Sequence, residues 1–310
     1  ETMWFKGEAG KIAHTSPLMK AGIDGTYLGP KSIYVKDTES IPTVAYITID
    51  KAMHETAAAS TNDPIYNYLN EGYDFNVELV VVTDAAVPED FDLSKYDAAI
   101  IAEQFSGKAA VLKPSGPLAI KNLTIPTIYN KTYAIQADRA LDKSAKEAKA
   151  ADANVASIVV AKENQAWGLF DGIEFTTDTI VIFKELTTDD GILGGEKSVK
   201  GINYIKGIDN LVAGKLADPA IADVSAVSAC INYVPAGTII ASETTVAPMF
   251  IFGMNSGAIC ANGGENITED GLKLWKNALN TLLGKIDETP RNLVGLKKIA
   301  YVTADKEMAE

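Results

Sequence analysis

TVAYITI, residues 43–49, is the stretch from which the fold can be read first. It holds no charge and no break, and its apolar and β-branched side chains fall on both faces of an extended chain. A strand of that kind belongs in the interior of a parallel sheet, covered above and below. Downstream, Asp63 and Pro64 mark an N-cap and a first helical position. Ile65, Tyr68 and Leu69 then fall at i, i+3 and i+4 before Gly72 stops the helix. A second strand is expected at NVELVVV (76–82), so the three pieces form one β-α-β unit.

Two more strands follow, DAAIIA (97–102) and IPTIYN (125–130), the second with Pro126 near its start, where proline is tolerated. Strands separated by crossovers of this length predict an α/β protein with a doubly wound, mostly parallel sheet, a flavodoxin/Rossmann-like sandwich. Later strands are expected at 156–160, 179–183, 226–234, 238–241 and 249–252. Short turns separate them, so the second half should add antiparallel edge strands. ADRALDKSAKEAKAADA (137–153) reads as an exposed helix or mobile connector, and the glycine-rich 187–223 as an insertion. Thr268 caps the clearest helix, whose Leu272, Trp275, Leu279, Leu282 and Leu283 form one stripe ended by Gly284.

Three segments organise the chain on this reading: 1–40, an N-terminal extension or the tail of a preceding module; 41–284, the α/β domain; and 285–310, a linker plus strand. IAYVTADKEMAE (299–310) matches VAYITIDKAMHE (44–55) at Ala, Tyr, Thr, Asp, Lys, Met and Glu. Residues 299–310 therefore open a tandem repeat, supply a strand to the first domain's own sheet, or match by coincidence.

With 310 residues, 47% of them hydrophobic and 22% charged, the chain has the material for a full core. Its formal charge of -13 repels phosphate backbones, and no cluster of five or six Lys or Arg interrupts it, so nucleic acid is not an expected partner. No apolar run reaches the roughly 18 to 20 residues that cross a bilayer, so no transmembrane segment is expected. A start at Glu1 is what removal of a targeting segment would leave. Cys230 and Cys260 permit one disulfide without requiring it; buried free thiols are the simpler expectation. Sequons at Asn122, Asn130 and Asn266 bear on the protein only in a eukaryotic secretory pathway.

Several stretches in order resemble the ThuA-like (trehalose-utilisation) branch of the class I glutamine amidotransferase-like, flavodoxin-related proteins. They are VAYITID, DPIYNYLNEGYDFNVELVVVTD, DLSKYDAAIIAE, LTIPTIYNKTYA, WGLFDGIEFTTDTIVIF, VPAGTIIA, MFIFGMNSG and NITEDGLKLWKNALNTLLG, running from residue 43 to 284. The resemblance implies a Rossmann-like sandwich, often found beside carbohydrate-active or secreted modules, with a poorly defined activity. It favours a secreted, periplasmic or cell-surface location. Catalytic members of the wider fold carry a Cys on a tight strand-to-helix elbow, with a His and a carboxylate supplied elsewhere. The elbow candidates here, AEQFSG (102–107) and YNKTYA (129–134), contain no Cys.

A thiol nucleophile needs exposure and a base beside it. Cys230 lies inside a strand-like run, and no motif sets a His next to Cys260. Ser106 lacks the flanking glycines of a G-x-S-x-G elbow, since Gln104 and Lys108 occupy those positions. His14 and His54 are the only histidines, so no two-His metal motif is present in sequence, and no metal is expected. Residues 51–63 contain no glycine, so no phosphate loop follows the first strand and no cofactor is expected. Ligands of open α/β sheets bind beyond the carboxyl ends of the strands. Asp50, His54, Glu103, Gln104, Asn130 and Lys131 are the candidate ligand-binding residues at that crest.

No catalytic residue is assigned. The favoured expectation is a non-catalytic binding or assembly module of a secreted or envelope protein, its partner a carbohydrate or another protein module, with self-association open. The alternatives are a hydrolase acting on a carbohydrate-derived substrate and a structural subunit of a surface filament or layer.

Overall fold

A computed structural model describes residues 12–13, 34–35, 41–49, 63–72, 74–153, 155–175, 177–185, 201–206, 212–216 and 229–285. Ile12–Ala13 and Tyr34–Val35 form a small parallel pair. The main sheet begins with β1 (Thr43–Thr48), β2 (Asn76–Val81), β3 (Ala98–Ile101) and β4 (Thr127–Tyr129). It continues through β5 (Lys149–Ala153), β6 (Ser157–Val159), β7 (Thr179–Val181), β8 (Ile202–Lys206), β9 (Val212–Leu216) and β10 (Ala229–Val234). A hairpin of β11 (Ile239–Ile240) and β12 (Glu243–Thr244) precedes the last sheet strand, β13 (Met249–Phe252).

Strand order across the sheet is β2-β1-β3-β4-β13-β10-β9-β6-β7, with β8 joining β10 to β5. The first five strands pair in parallel, in the 2-1-3-4-5 arrangement of flavodoxin-like sheets. From β13 onward the pairs are antiparallel. The sheet is thus a parallel block extended by antiparallel strands.

Alternation along the parallel strands divides the core into two layers. Val44, Tyr46, Ala98, Ile100, Ile128, Phe250 and Phe252 face one way; Ala45, Ile47, Ala99, Ile101, Tyr129, Met249 and Ile251 face the other. All are buried. The first layer is covered by α1 (Pro64–Glu71) and α3 (Glu269–Leu282), which supply Ile65, Leu69, Leu274, Trp275, Leu279 and Leu282. Tyr233, Phe250, Phe252 and Trp275 form an aromatic ladder there, with successive ring centroids 5.2, 5.9 and 5.0 Å apart. Among the described residues the second layer is closed by 3₁₀ turns at Leu93–Lys95, Ala110–Leu112, Ile120–Asn122 and Thr132–Ala134 instead of α-helices.

Both capping signals act as their residue types predict. The Asp63 carboxylate accepts from the backbone N–H groups of Ile65 and Tyr66, at 3.0 and 3.3 Å, and also from the Tyr46 hydroxyl at 2.5 Å, which ties α1 to β1. Burial, and then the Asp63 charge, hold the Tyr46 phenol well above its ordinary pKa. Thr268 caps α3 by accepting from Gly271 N–H at 3.0 Å. Its hydroxyl also donates to the Val181 carbonyl at 2.7 Å, and its N–H to the Ile182 carbonyl at 2.9 Å.

Of the two expectations for 137–153, an exposed helix or a mobile connector, the helix is not formed. The segment runs as turns into β5, with Ala140, Leu141, Ala145 and Ala148 buried in the second layer. Asp142 accepts from Ser144 N–H at 2.9 Å, a local turn that competes with helix. Two strands within 187–223, β8 and β9, belong to the main sheet. The stretch 299–310 that matches 44–55 lies outside the described residues.

Gly253, immediately after β13, is required by close approach: a Cβ there would lie 1.8 Å from the Asn203 carbonyl oxygen. Its own carbonyl accepts from Asn203 N–H at 2.6 Å. Gly253→Ala should lower unfolding stability by about 3 kcal/mol, the scale of forced overpacking, as read from the midpoint of a urea transition with unchanged slope.

Candidate functional site

The carboxyl ends of β3, β4 and β13 meet at one crest, where ligands of this sheet type bind. Residue 103 leaves β3, residues 130 and 131 leave β4, and residues 253–256 turn from β13 into the one-turn helix α2 (Ser256–Ile259). In the structure these positions converge on a single carboxylate. Lys131 Nζ donates to Glu103 Oε1 at 2.5 Å and to the Glu103 carbonyl oxygen at 2.7 Å. Ser256 donates to Glu103 Oε2 through its hydroxyl at 2.7 Å and its N–H at 3.2 Å. The Glu103 and Lys131 side chains are each 8% exposed, and Ser256 is buried.

Asn130 completes the junction. Its amide donates to the Met254 carbonyl at 2.9 Å and accepts from Met254 N–H at 3.0 Å, which fixes its orientation. Thr132 donates to the Phe252 carbonyl at 2.6 Å, and Met254 Sδ accepts from the Trp275 indole at 3.2 Å. Three of the six residues expected at the crest, Glu103, Asn130 and Lys131, are therefore brought together with their polar atoms turned inward. Gln104 is half-buried beside Glu103. Asp50 and His54 lie outside the described residues. Ser256 was missed from sequence; its signal is the Asn-Ser-Gly that follows the apolar run 249–252.

No nucleophile elbow is built at 102–107 or 129–134. Such elbows hold the nucleophile on a strained turn. The non-glycine residues with positive φ among those described are Asp138, Ala241 and Asn262, and Lys131 sits at φ -114°. Cys230 and Cys260 are both buried and free, and burial pushes the Cys230 thiol up to about 12, so it stays protonated and unreactive. Tyr129, at the end of β4, is likewise held above its ordinary range by burial. Among the described residues no group of three or more His, Cys, Asp or Glu could hold a metal ion, and no helix is long and apolar enough to cross a membrane.

In the loops that follow β3 and β4, residues 113–115 and 138–143 line an open cavity of about 360 Å³, whose polar residues are Lys113, Ser115, Asp138, Arg139, Asp142 and Lys143 and whose apolar ones are Pro114 and Leu141. The nearby hairpin β11–β12 touches this loop, since Ser242 Oγ accepts from Asp142 N–H at 2.8 Å. The buried Glu243 Oε2 finds no hydrogen-bond partner among the described residues. Burial raises the Glu243 carboxyl above its ordinary pKa, opposed by Lys121 and reinforced by Asp142.

Against known proteins, no family model matches the chain and no curated protein does. Among solved structures, the crystal structure of a protein described as ThuA-like, from Parabacteroides merdae, aligns over 80% of this chain and 92% of its own length. The identity is 9% and the TM-score 0.42. That structure is of the ThuA-like kind the ordered stretches resemble. At this distance it transfers no residue role, and the fold assignment rests on the strand order itself.

Two measurements check this geometry. Lys131→Met leaves the Glu103 carboxylate buried without its counter-charge and should cost roughly 3–5 kcal/mol; the double variant Lys131→Met/Glu103→Leu should recover part of that loss in denaturant titration. For Glu243 the folded pKa lies above the unfolded one, so its ionisation penalises the native state at neutral pH. That penalty is lost as pH falls through the folded pKa. Glu243→Gln should therefore raise the melting temperature at pH 7 and leave it unchanged near pH 3.

Proposed function

We propose that this domain is a non-catalytic module for binding or assembly in an exported or cell-surface protein. One observation carries the reading: the Glu103 carboxylate, at the position where sheets of this order act on ligands, has both oxygens engaged by Lys131 and Ser256. A general acid or base must present a free oxygen or proton to substrate, and a serine nucleophile needs its hydroxyl paired with a base and open to the substrate. Ser256 is buried instead, and its hydroxyl is given to a carboxylate whose charge is already balanced.

Two further points support the reading. In the similar stretch 299–310, His54 is matched by Ala309 while the neighbouring Asp and Lys are kept. The ThuA-like resemblance supports an exported setting.

Assayed on a panel of glycosides, esters and amides, the protein should show no turnover above buffer. A rate that vanishes in Ser256→Ala or His54→Ala, with the melting temperature unchanged, would overturn the proposal.

A further inference from the structure

We propose that the cavity in the loops following β3 and β4 binds a small hydroxylated monocarboxylate, of the sugar-acid class. Its wall carries Lys113, Arg139 and Lys143 against Asp138 and Asp142, one net positive charge in a chain whose total is -13. A ligand with one negative charge balances that set. The two aspartates accept hydrogen bonds and repel a second anionic group, so the rest of the ligand must offer neutral donors, as hydroxyl groups do. The Asp142 carboxyl is held below its ordinary range by hydrogen bonds from Ser144 and so remains an acceptor.

Arg139 and Asp142 are held in place before any ligand arrives. Arg139 lies over the Tyr133 ring, 4.6 Å from its centroid, and donates through one Nη to the Tyr133 carbonyl at 3.2 Å. One edge of the planar guanidinium is thereby fixed, leaving other donors for a carboxylate. Gly107 allows this placement: a Cβ there would stand 2.6 Å from the Arg139 guanidinium. Asp138 holds φ at 62°, a backbone conformation uncommon outside glycine and frequent at binding sites. Asp142 is anchored by Ser144 and Ser242. Preorganisation of this kind reduces the ordering cost of binding.

The proposal rests on the binding half of the preceding reading, but on different residues, and the two fail separately. Calorimetry with gluconate is the test, with glucose, acetate and inorganic phosphate as controls. Gluconate should give a saturable isotherm that weakens as salt is raised, and glucose, acetate and phosphate should bind at least about tenfold more weakly, the ratio set by roughly 1.4 kcal/mol. Arg139→Gln should weaken gluconate about tenfold or more, and Arg139→Lys should not restore it, because the bidentate fork is lost. Lys143→Ala removes a side chain that is 81% exposed, so it tests the site without risk to folding, and should weaken gluconate severalfold. Absence of a gluconate isotherm overturns the proposal. So does equal binding of acetate, glucose or phosphate, or gluconate affinity unchanged in both Arg139→Gln and Lys143→Ala. Turnover of a substrate would remove the non-catalytic reading and leave the gluconate result standing.

Discussion

The Glu103 carboxylate is the constraint on which the upper half of the domain depends. One oxygen takes the ammonium of Lys131 from the adjacent parallel strand, and the other takes the hydroxyl and N–H of Ser256 at the turn after β13. Three strand ends, in the spatial order β3, β4, β13, are thereby fastened by one ionised group. Polar pairs made inside a sheet with little water are strong when complete and costly when broken. Asn130 adds two backbone contacts to Met254 from the neighbouring position. Gly253 then lets the chain pass against the Asn203 carbonyl.

A buried ion pair is a poor source of net stability, because desolvation offsets much of the Coulomb attraction. Its value lies in selecting one arrangement of strand ends. A nucleophile elbow would instead hold its nucleophile exposed on a strained turn. Here Lys131 holds a negative φ of -114° and its side chain is turned inward. Glu103, Lys131 and Ser256 thus form a joint between strand ends, and the open concavity is lined by residues of the loops following β3 and β4.

How much of this could be read in the sequence follows from the range over which each signal acts. Asp63 with Pro64, and Thr268 with Gly284, cap helices through contacts within a turn, so residue type alone locates them. The parallel strands are legible because burial on both faces leaves uninterrupted apolar runs. The pairing of Glu103 with Lys131 spans 28 positions and exists only once β3 and β4 are neighbours. From sequence both residues could be set at the crest, but whether they faced a ligand or one another could not. Segment 137–153 misled for a different reason. Its alanines, which suit a helix by propensity, are the small residues that fit beneath the sheet, while Asp138, Asp142 and Ser144 make turns. Tyr46, matched by Tyr301 in the similar stretch 299–310, gains its meaning from a partner 17 residues away, Asp63.

Thr268 has a consequence beyond its helix. By engaging the Val181 and Ile182 carbonyls it occupies backbone acceptors along the outer side of β7, and Phe183 bridges to Ile267 next to it. A neighbouring molecule cannot extend the sheet at that margin without first displacing the start of α3. Among the described residues, β2 and β5 are the other strands of this sheet paired on one side only.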